Sequence, residues 1–166
     1  MRTWCALVLL LGAIFLQPRD TYAQRTRLMV SGFPVNFPTP SGADFDAGFI
    51  ESATGITFTV DAQTGTNTQR TTTVMIRCGA PCPTTGTKPV AELSWRRADL
   101  GTWNTLTTTN ALVESRPIFR NQPLPASNDP WSNTLYFQFA LSWLGDPPAA
   151  TPNSYNIIMT LIVTVP

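Results

Sequence analysis

The chain has 166 residues, and its 11 Lys and Arg against 10 Asp and Glu leave a formal net charge of +1. Charged residues make up only 13% of it, about half the usual share, and histidine is absent. A near-neutral chain has no field with which to collect nucleic acid or anionic membrane, a chain without His has no imidazole base and no Ser-His-Asp triad, and the length allows one domain.

Residues 1–23 read as a secretory signal peptide. Arg2 supplies a positive n-region, Cys5–Leu16 is an apolar run of 12 residues, and Thr21-Tyr22-Ala23 is a small-x-small-like end. The run is too short to span a bilayer, which needs about 20 residues. No cysteine stands just after it, as a lipoprotein would require. Cleavage after Ala23 gives a mature chain from Gln24, free of the membrane, with residues 24–166 as a single domain. It removes Arg2, Arg19 and Asp20, so the mature chain is neutral overall. The expected location is secreted, periplasmic or at the cell surface. Lys88 is the only lysine and no Asn-x-Ser/Thr sequon occurs, both in keeping with a bacterial source.

Period-2 alternation then marks strands along the mature chain. Arg27–Phe33 is the first. Asp44-Phe45-Asp46-Ala47-Gly48 opens like a calcium loop, but Gly55 stands at the twelfth position, where a bidentate Glu is required. That segment therefore reads as a turn with two solvated carboxylates. In Ile56–Asp61, Ile56, Phe58 and Val60 share a face; in Thr71–Cys78, Thr72, Val74, Ile76 and Cys78 do. Val90–Arg97, Trp103–Thr107 and Leu112–Arg120 follow. Thr134–Leu144 has the strictest heavy face: Leu135, Phe137, Phe139, Leu141 and Trp143. Tyr155–Val165 is apolar on both faces, with Ile158 and Ile162 opposite Tyr155, Ile157, Met159, Leu161 and Val163.

Gly-, Pro- and Asn-rich turns separate these runs, and no window shows a convincing helical period. The pattern implies an all-β fold, a two-sheet antiparallel sandwich of about seven to nine strands. A closed barrel is the alternative arrangement.

Loss of the leader leaves Cys78 and Cys82, and an even count in an exported chain reads as one disulfide. A lone C-x3-C with neither a second pair nor His is a poor zinc site. The enclosed loop is so short that its entropic contribution is only about 2 kcal/mol.

The acids sit in turns or on the polar sides of strands, and none is paired in an apolar surround that would split two carboxyl pKa values. The expectation is a non-enzymatic protein without a cofactor. Arg96, Arg97, Arg116 and Arg120, balanced by Glu92, Asp99 and Glu114, read as a solvated face. Trp95 and Trp143 read as core. Trp103, beyond Gly101 at a hairpin, and Trp131, beyond Asn128-Asp129-Pro130, read as loop-borne rings. Such rings either fold back as lids over the sandwich or stack on sugars and anchor partners.

Thr71-Thr72-Thr73-Val74-Met75-Ile76-Arg77-Cys78, Leu135-Tyr136-Phe137-Gln138-Phe139 and the Tyr155–Val165 strand carry a family resemblance. With the signal peptide, this plan resembles exported subunits of the spore coat protein U type, which are similar to archaic chaperone–usher pilus subunits. The chain departs from the plan in having no cysteine near the mature N-terminus, and Ser154 and Asn156 in place of Gly and Asp beside Tyr155. The resemblance implies an immunoglobulin-like sandwich and a structural role.

Two functional readings follow. One is a structural or adhesive subunit that meets other protein chains by strand addition, with Ile158 and Ile162 on its interaction surface and Arg27–Val30 as a possible mate for the last strand. The other is a carbohydrate- or matrix-binding module that uses Trp103 and Trp131.

Overall fold

The computed structural model describes residues 25–63, 70–79, 89–118, 130–146 and 158–165. Strand β1 (Arg25–Ser31) is followed by a short helix α1 (Gly42–Ala47) and then β2 (Phe49–Glu51), β3 (Ile56–Gln63) and β4 (Arg70–Cys78). After these come β5 (Leu93–Arg97), β6 (Asn104–Thr105), β7 (Ala111–Ile118), β8 (Trp131–Ala140) and β9 (Met159–Thr164). The described strands form two antiparallel sheets. The larger runs β1-β3-β8-β5-β6, with β2 also paired to β8; the smaller runs β7-β4-β9. The fold is the all-β two-sheet sandwich, not the closed barrel.

β8 organises the large sheet. One side pairs with β5, from Leu135↔Arg97 to Phe139↔Leu93. The other side pairs first with β3, from Trp131↔Val60 to Leu135↔Ile56, and then with β2, from Gln138↔Glu51 to Ala140↔Phe49. Between β2 and β3 the backbone leaves the ladder, and Ser52 fills the gap. Its N–H donates to the Phe137 carbonyl at 2.8 Å, and its Oγ accepts from the Phe137 N–H at 3.1 Å. Gly55 follows where space runs out: a Cβ there would stand 2.7 Å from the Leu135 carbonyl oxygen.

The alternation read from the sequence builds the core. Ile56, Phe58 and Val60 of β3, Val74, Ile76 and Cys78 of β4, Leu93 and Trp95 of β5, and Leu135, Phe137 and Phe139 of β8 are all buried between the sheets. β-branched and aromatic residues suit such a pleated, half-buried surface.

Four local readings are corrected. First, β8 ends at Ala140 and does not reach Leu144. The Ser142 N–H donates to Asp146 Oδ2 and the Gly145 N–H to Ser142 Oγ, so side chains close a turn that competes with the strand. Trp143 is thereby turned out of the core to 51% exposure; it stacks on Phe45 and donates its Nε1–H to Asp46. Second, Trp131 is not loop-borne but opens β8, 2% exposed, with its ring edge-on to Phe58. Its Nε1–H has no acceptor among the described residues, a cost of about 1–3 kcal/mol that the packing of so large a ring outweighs. Third, Val90–Glu92 is a 3-10 turn, and the strand begins only at Leu93. Fourth, Gly42–Ala47 is helical. Ser41 and Asp44 form a reciprocal capping box, Phe45 is buried, and Gly48 ends the helix at φ +79°.

Phe137→Ala is expected to cost about 3–5 kcal/mol in urea unfolding, as for other buried aromatic truncations. Tyr136→Ala, on the opposite face of the same strand, should cost far less. Equal losses would show that both faces of β8 are packed.

Candidate interaction surfaces

The pleat that turns Thr72, Val74, Ile76 and Cys78 of β4 inward turns Thr73, Met75 and Arg77 outward. Met75 lies opposite Leu112 of β7 and opposite Ile162 of β9. Leu112, Met75 and Ile162 therefore form one apolar row across the outside of the small sheet. A β-bulge between Val74 and Met75 sets the β7 register so that Leu112 faces out, 60% exposed. The next row is hydroxylic: Ser115, Thr73 and Thr164. Ile158 continues the β4–β9 register, accepting from the Gly79 N–H, and is 56% exposed.

The structure thus places Ile158 and Ile162 on one outer face. On the other face of β9, Met159, Leu161 and Val163 pack against the core. β9 begins at Met159; Tyr155 and Ile157 of the expected longer strand lie outside the described residues. The expectation that the N-terminal strand mates with the last one is corrected for pairing within one chain. β1 pairs with β3, from Arg25↔Gln63 to Ser31↔Thr57, because Leu28 and Val30 join the core from the large sheet. β9 pairs with β4, and among the described residues it is an edge strand.

The outer face of the large sheet is different in kind. Thr57 bonds Thr134 at 3.0 Å and Thr59 bonds Ser132 at 2.7 Å. Further along, Arg96 lies opposite Tyr136. Its guanidinium carbon stands 5.0 Å from the Tyr136 ring centroid and 5.0 Å from that of Trp103. Trp103 is half-buried, held by this cation–π contact just before β6. Of the two candidate loop tryptophans, then, one is core and one sits beside an arginine. The partners of Trp103, Arg96 and Tyr136, are outward positions on adjacent strands. The strand alternation exposes them, but only the β5–β8 register brings them together.

The remaining charges correct the reading of a solvated arginine face. Arg97, Glu114, Arg116 and Asn133 point between the sheets. Glu114 is 6% exposed; its Oε1 accepts from Arg116 Nε at 2.6 Å and its Oε2 from Asn133 Nδ2 at 3.0 Å. Arg97 lies 3.6 Å from the same carboxylate, donates to the Val113 carbonyl at 3.1 Å and pairs with Asp99. Arg116 also covers the Trp131 ring at 4.7 Å. Arg97 of β5 by an ion pair and Asn133 of β8 by a hydrogen bond thus join the large sheet to Glu114 of β7. Arg120 lies outside the described residues.

The hydrogen bond from Arg97 is the main cause that holds Asp99 at about 2, below its ordinary 3.8. The sign follows: this stabilisation is present above the ordinary value and is lost as pH falls towards about 2. Ser41 likewise lowers Asp44, its Oγ–H and backbone N–H both donating to the Asp44 carboxylate in the capping box. Asp44 and Asp46 are thus engaged by Ser41 and Trp143. Among the described residues no group of three or more His, Cys, Asp or Glu is placed to hold a metal ion. Cys78, 2% exposed, takes part in a disulfide; Cys82 lies outside the described residues. No helix among them is long and apolar enough to cross a membrane.

The chain matches no family model, and no curated protein or solved structure matches it.

Glu114→Ala strands Arg116 and Asn133 at the sheet interface, so it is expected to cost about 3–5 kcal/mol in urea at neutral pH. Asp99→Asn should cost less there, and should flatten the loss of stability as pH falls from the ordinary Asp range towards about 2. Unfolding curves across pH test both.

Proposed function

We propose that this protein is an exported, non-enzymatic structural or adhesive subunit of the bacterial cell surface that associates with other chains through the edge of β9. The observation that carries the reading is the small sheet. Among the described residues β9 is one of its two edge strands, and the apolar row Leu112–Met75–Ile162 runs up to that edge. An edge with an apolar flank is a template for a further strand. The resemblance to spore coat protein U type subunits points the same way, as does the signal-peptide reading of residues 1–23. In this reading Cys78 and Cys82 form the single disulfide of the mature chain.

Gel filtration with light scattering is expected to find oligomers or partner adducts for the wild type. The double variant Ile158→Lys, Ile162→Lys should be monomeric with an unchanged far-UV spectrum. A wild type that stays monomeric at high concentration overturns the assembly reading.

Mass spectrometry should find Gln24 at the N-terminus of the exported protein, free or cyclised, and a non-reduced peptide linking Cys78 to Cys82. Intact Met1 in a membrane fraction would count against export.

A second reading, a carbohydrate- or matrix-binding module, is favoured by one observation: the Arg96 guanidinium set between Trp103 and Tyr136.

A further inference from the structure

On the outer face of the large sheet, register places polar side chains in a row across four strands. Glu51 of β2 lies opposite Gln138 of β8, Gln138 opposite Ser94 of β5, and Ser94 opposite Thr105 of β6. Beside this row stand Arg96, Tyr136 and Trp103. The two halves of the face differ in how their polar groups are used. The hydroxyls over β3 and the start of β8 bond one another, as Thr57 does Thr134 and Thr59 does Ser132. The side chains of Gln138, Ser94 and Thr105 make no hydrogen bond to other described residues. Arg96 makes none either; its one ionic neighbour among the described residues, Glu51 Oε2, is 3.8 Å away.

Arg96 is nevertheless fixed in place. Both rings stand within cation–π range of its guanidinium, whose N–H groups make no hydrogen bond to other described residues. The result is a shelf with donors (Arg96, Gln138), acceptors (Glu51, Gln138) and hydroxyls that are both (Ser94, Thr105). Two half-buried aromatic rings border it, and Arg96 and Glu51 cancel in charge.

We infer that this shelf is a binding site for a neutral saccharide chain. Sugar hydroxyls are donors and acceptors at once and match a mixed row. The C–H face of a pyranose suits the exposed surface of Trp103 or Tyr136. Charge selects the neutral class: a carboxylated or sulfated glycan would meet Glu51 beside the arginine it sought, and nucleic acid would meet no net positive field. Strands hold Glu51, Gln138, Ser94, Arg96, Tyr136 and Thr105 in fixed register, and Trp103 stands just before β6. The inference rests on the second functional reading above and gives it a site and a ligand class.

The test is affinity electrophoresis of the full mature chain in gels cast with neutral β-linked glucan, xylan or galactomannan, alongside polygalacturonate as the acidic comparison. Titration calorimetry with the matching neutral hexasaccharide follows. The wild type should be retarded by at least one neutral polymer, with little dependence on salt. Trp103→Ala and Gln138→Ala should each weaken binding about tenfold, roughly what one well-placed ring or polar contact contributes. Thr59→Ala, on the same face but outside the row, should bind as wild type. Thermal melts of all three variants separate loss of the site from loss of the fold, and Gln138→Ala decides the matter should Trp103→Ala unfold.

Retardation that survives both shelf variants overturns the site while leaving a carbohydrate-binding role. Salt-sensitive preference for polygalacturonate overturns the neutral class. No retardation by any polymer overturns both the site and the reading it rests on.

Discussion

The pleat of β8 is the constraint on which both sides of the large sheet depend. Its odd-numbered residues Leu135, Phe137 and Phe139 fill the space between the sheets, and its even-numbered Tyr136 and Gln138 face out. Because a strand repeats every two residues, a slip of one would exchange the two sets, exposing phenylalanines and burying a glutamine. Three devices prevent it. β5 fixes one side of the strand, β3 and β2 fix the other, and Ser52 carries the ladder across the break between them. The burial of Phe137 and the presentation of Tyr136 beside Arg96 are thus one decision of register.

What was legible in the sequence was whatever repeats every two residues. The inward faces of β3, β4 and β8 follow directly from Ile56-Phe58-Val60, Thr72-Val74-Ile76-Cys78 and Leu135-Phe137-Phe139. What was not legible depended on single side chains competing with the repeat. Trp143 continues the β8 alternation perfectly, yet Ser142 and Asp146 bond the local backbone and end the strand before it. α1 is too short for periodicity to reveal, and its signal was the Ser41–Asp44 capping pair, three residues apart. The Arg96 cluster needed the β5–β8 register, which pattern alone does not supply.

The charged residues went astray for a related reason. Arg97 and Glu114 occupy inward positions on their strands, where hydrophobic patterning expects an apolar residue and a low charge count suggests a solvated one. Neither rule allows for a pair that buries itself. Each ion is tolerable between the sheets because the other is there, with Arg116 and Asn133 completing the lone pairs of Glu114. Such a network is weak as a source of net stability, since burial of the charges opposes their attraction. Its directional bonds do restrict how β7 sits against β5 and β8, and β7 carries Leu112 to the outside of the small sheet.

That outer row is not enough by itself to hold two chains together. Fully burying three aliphatic side chains contributes about 5–9 kcal/mol. The loss of translational and rotational freedom alone opposes association by about 4–15 kcal/mol. The row therefore sits near break-even, and less than that where Met75 and Ile162 are already half-buried. A backbone ladder along β9 changes the balance, because strand pairing fixes the register of the incoming chain and brings its side chains over Ile162 and Met75 in the same step. Neither feature suffices alone: an edge without the row would pair weakly and without preference, and the row without an edge would have no geometry to specify its partner. Their adjacency on β9 is the physical ground on which the proposal of strand addition rests.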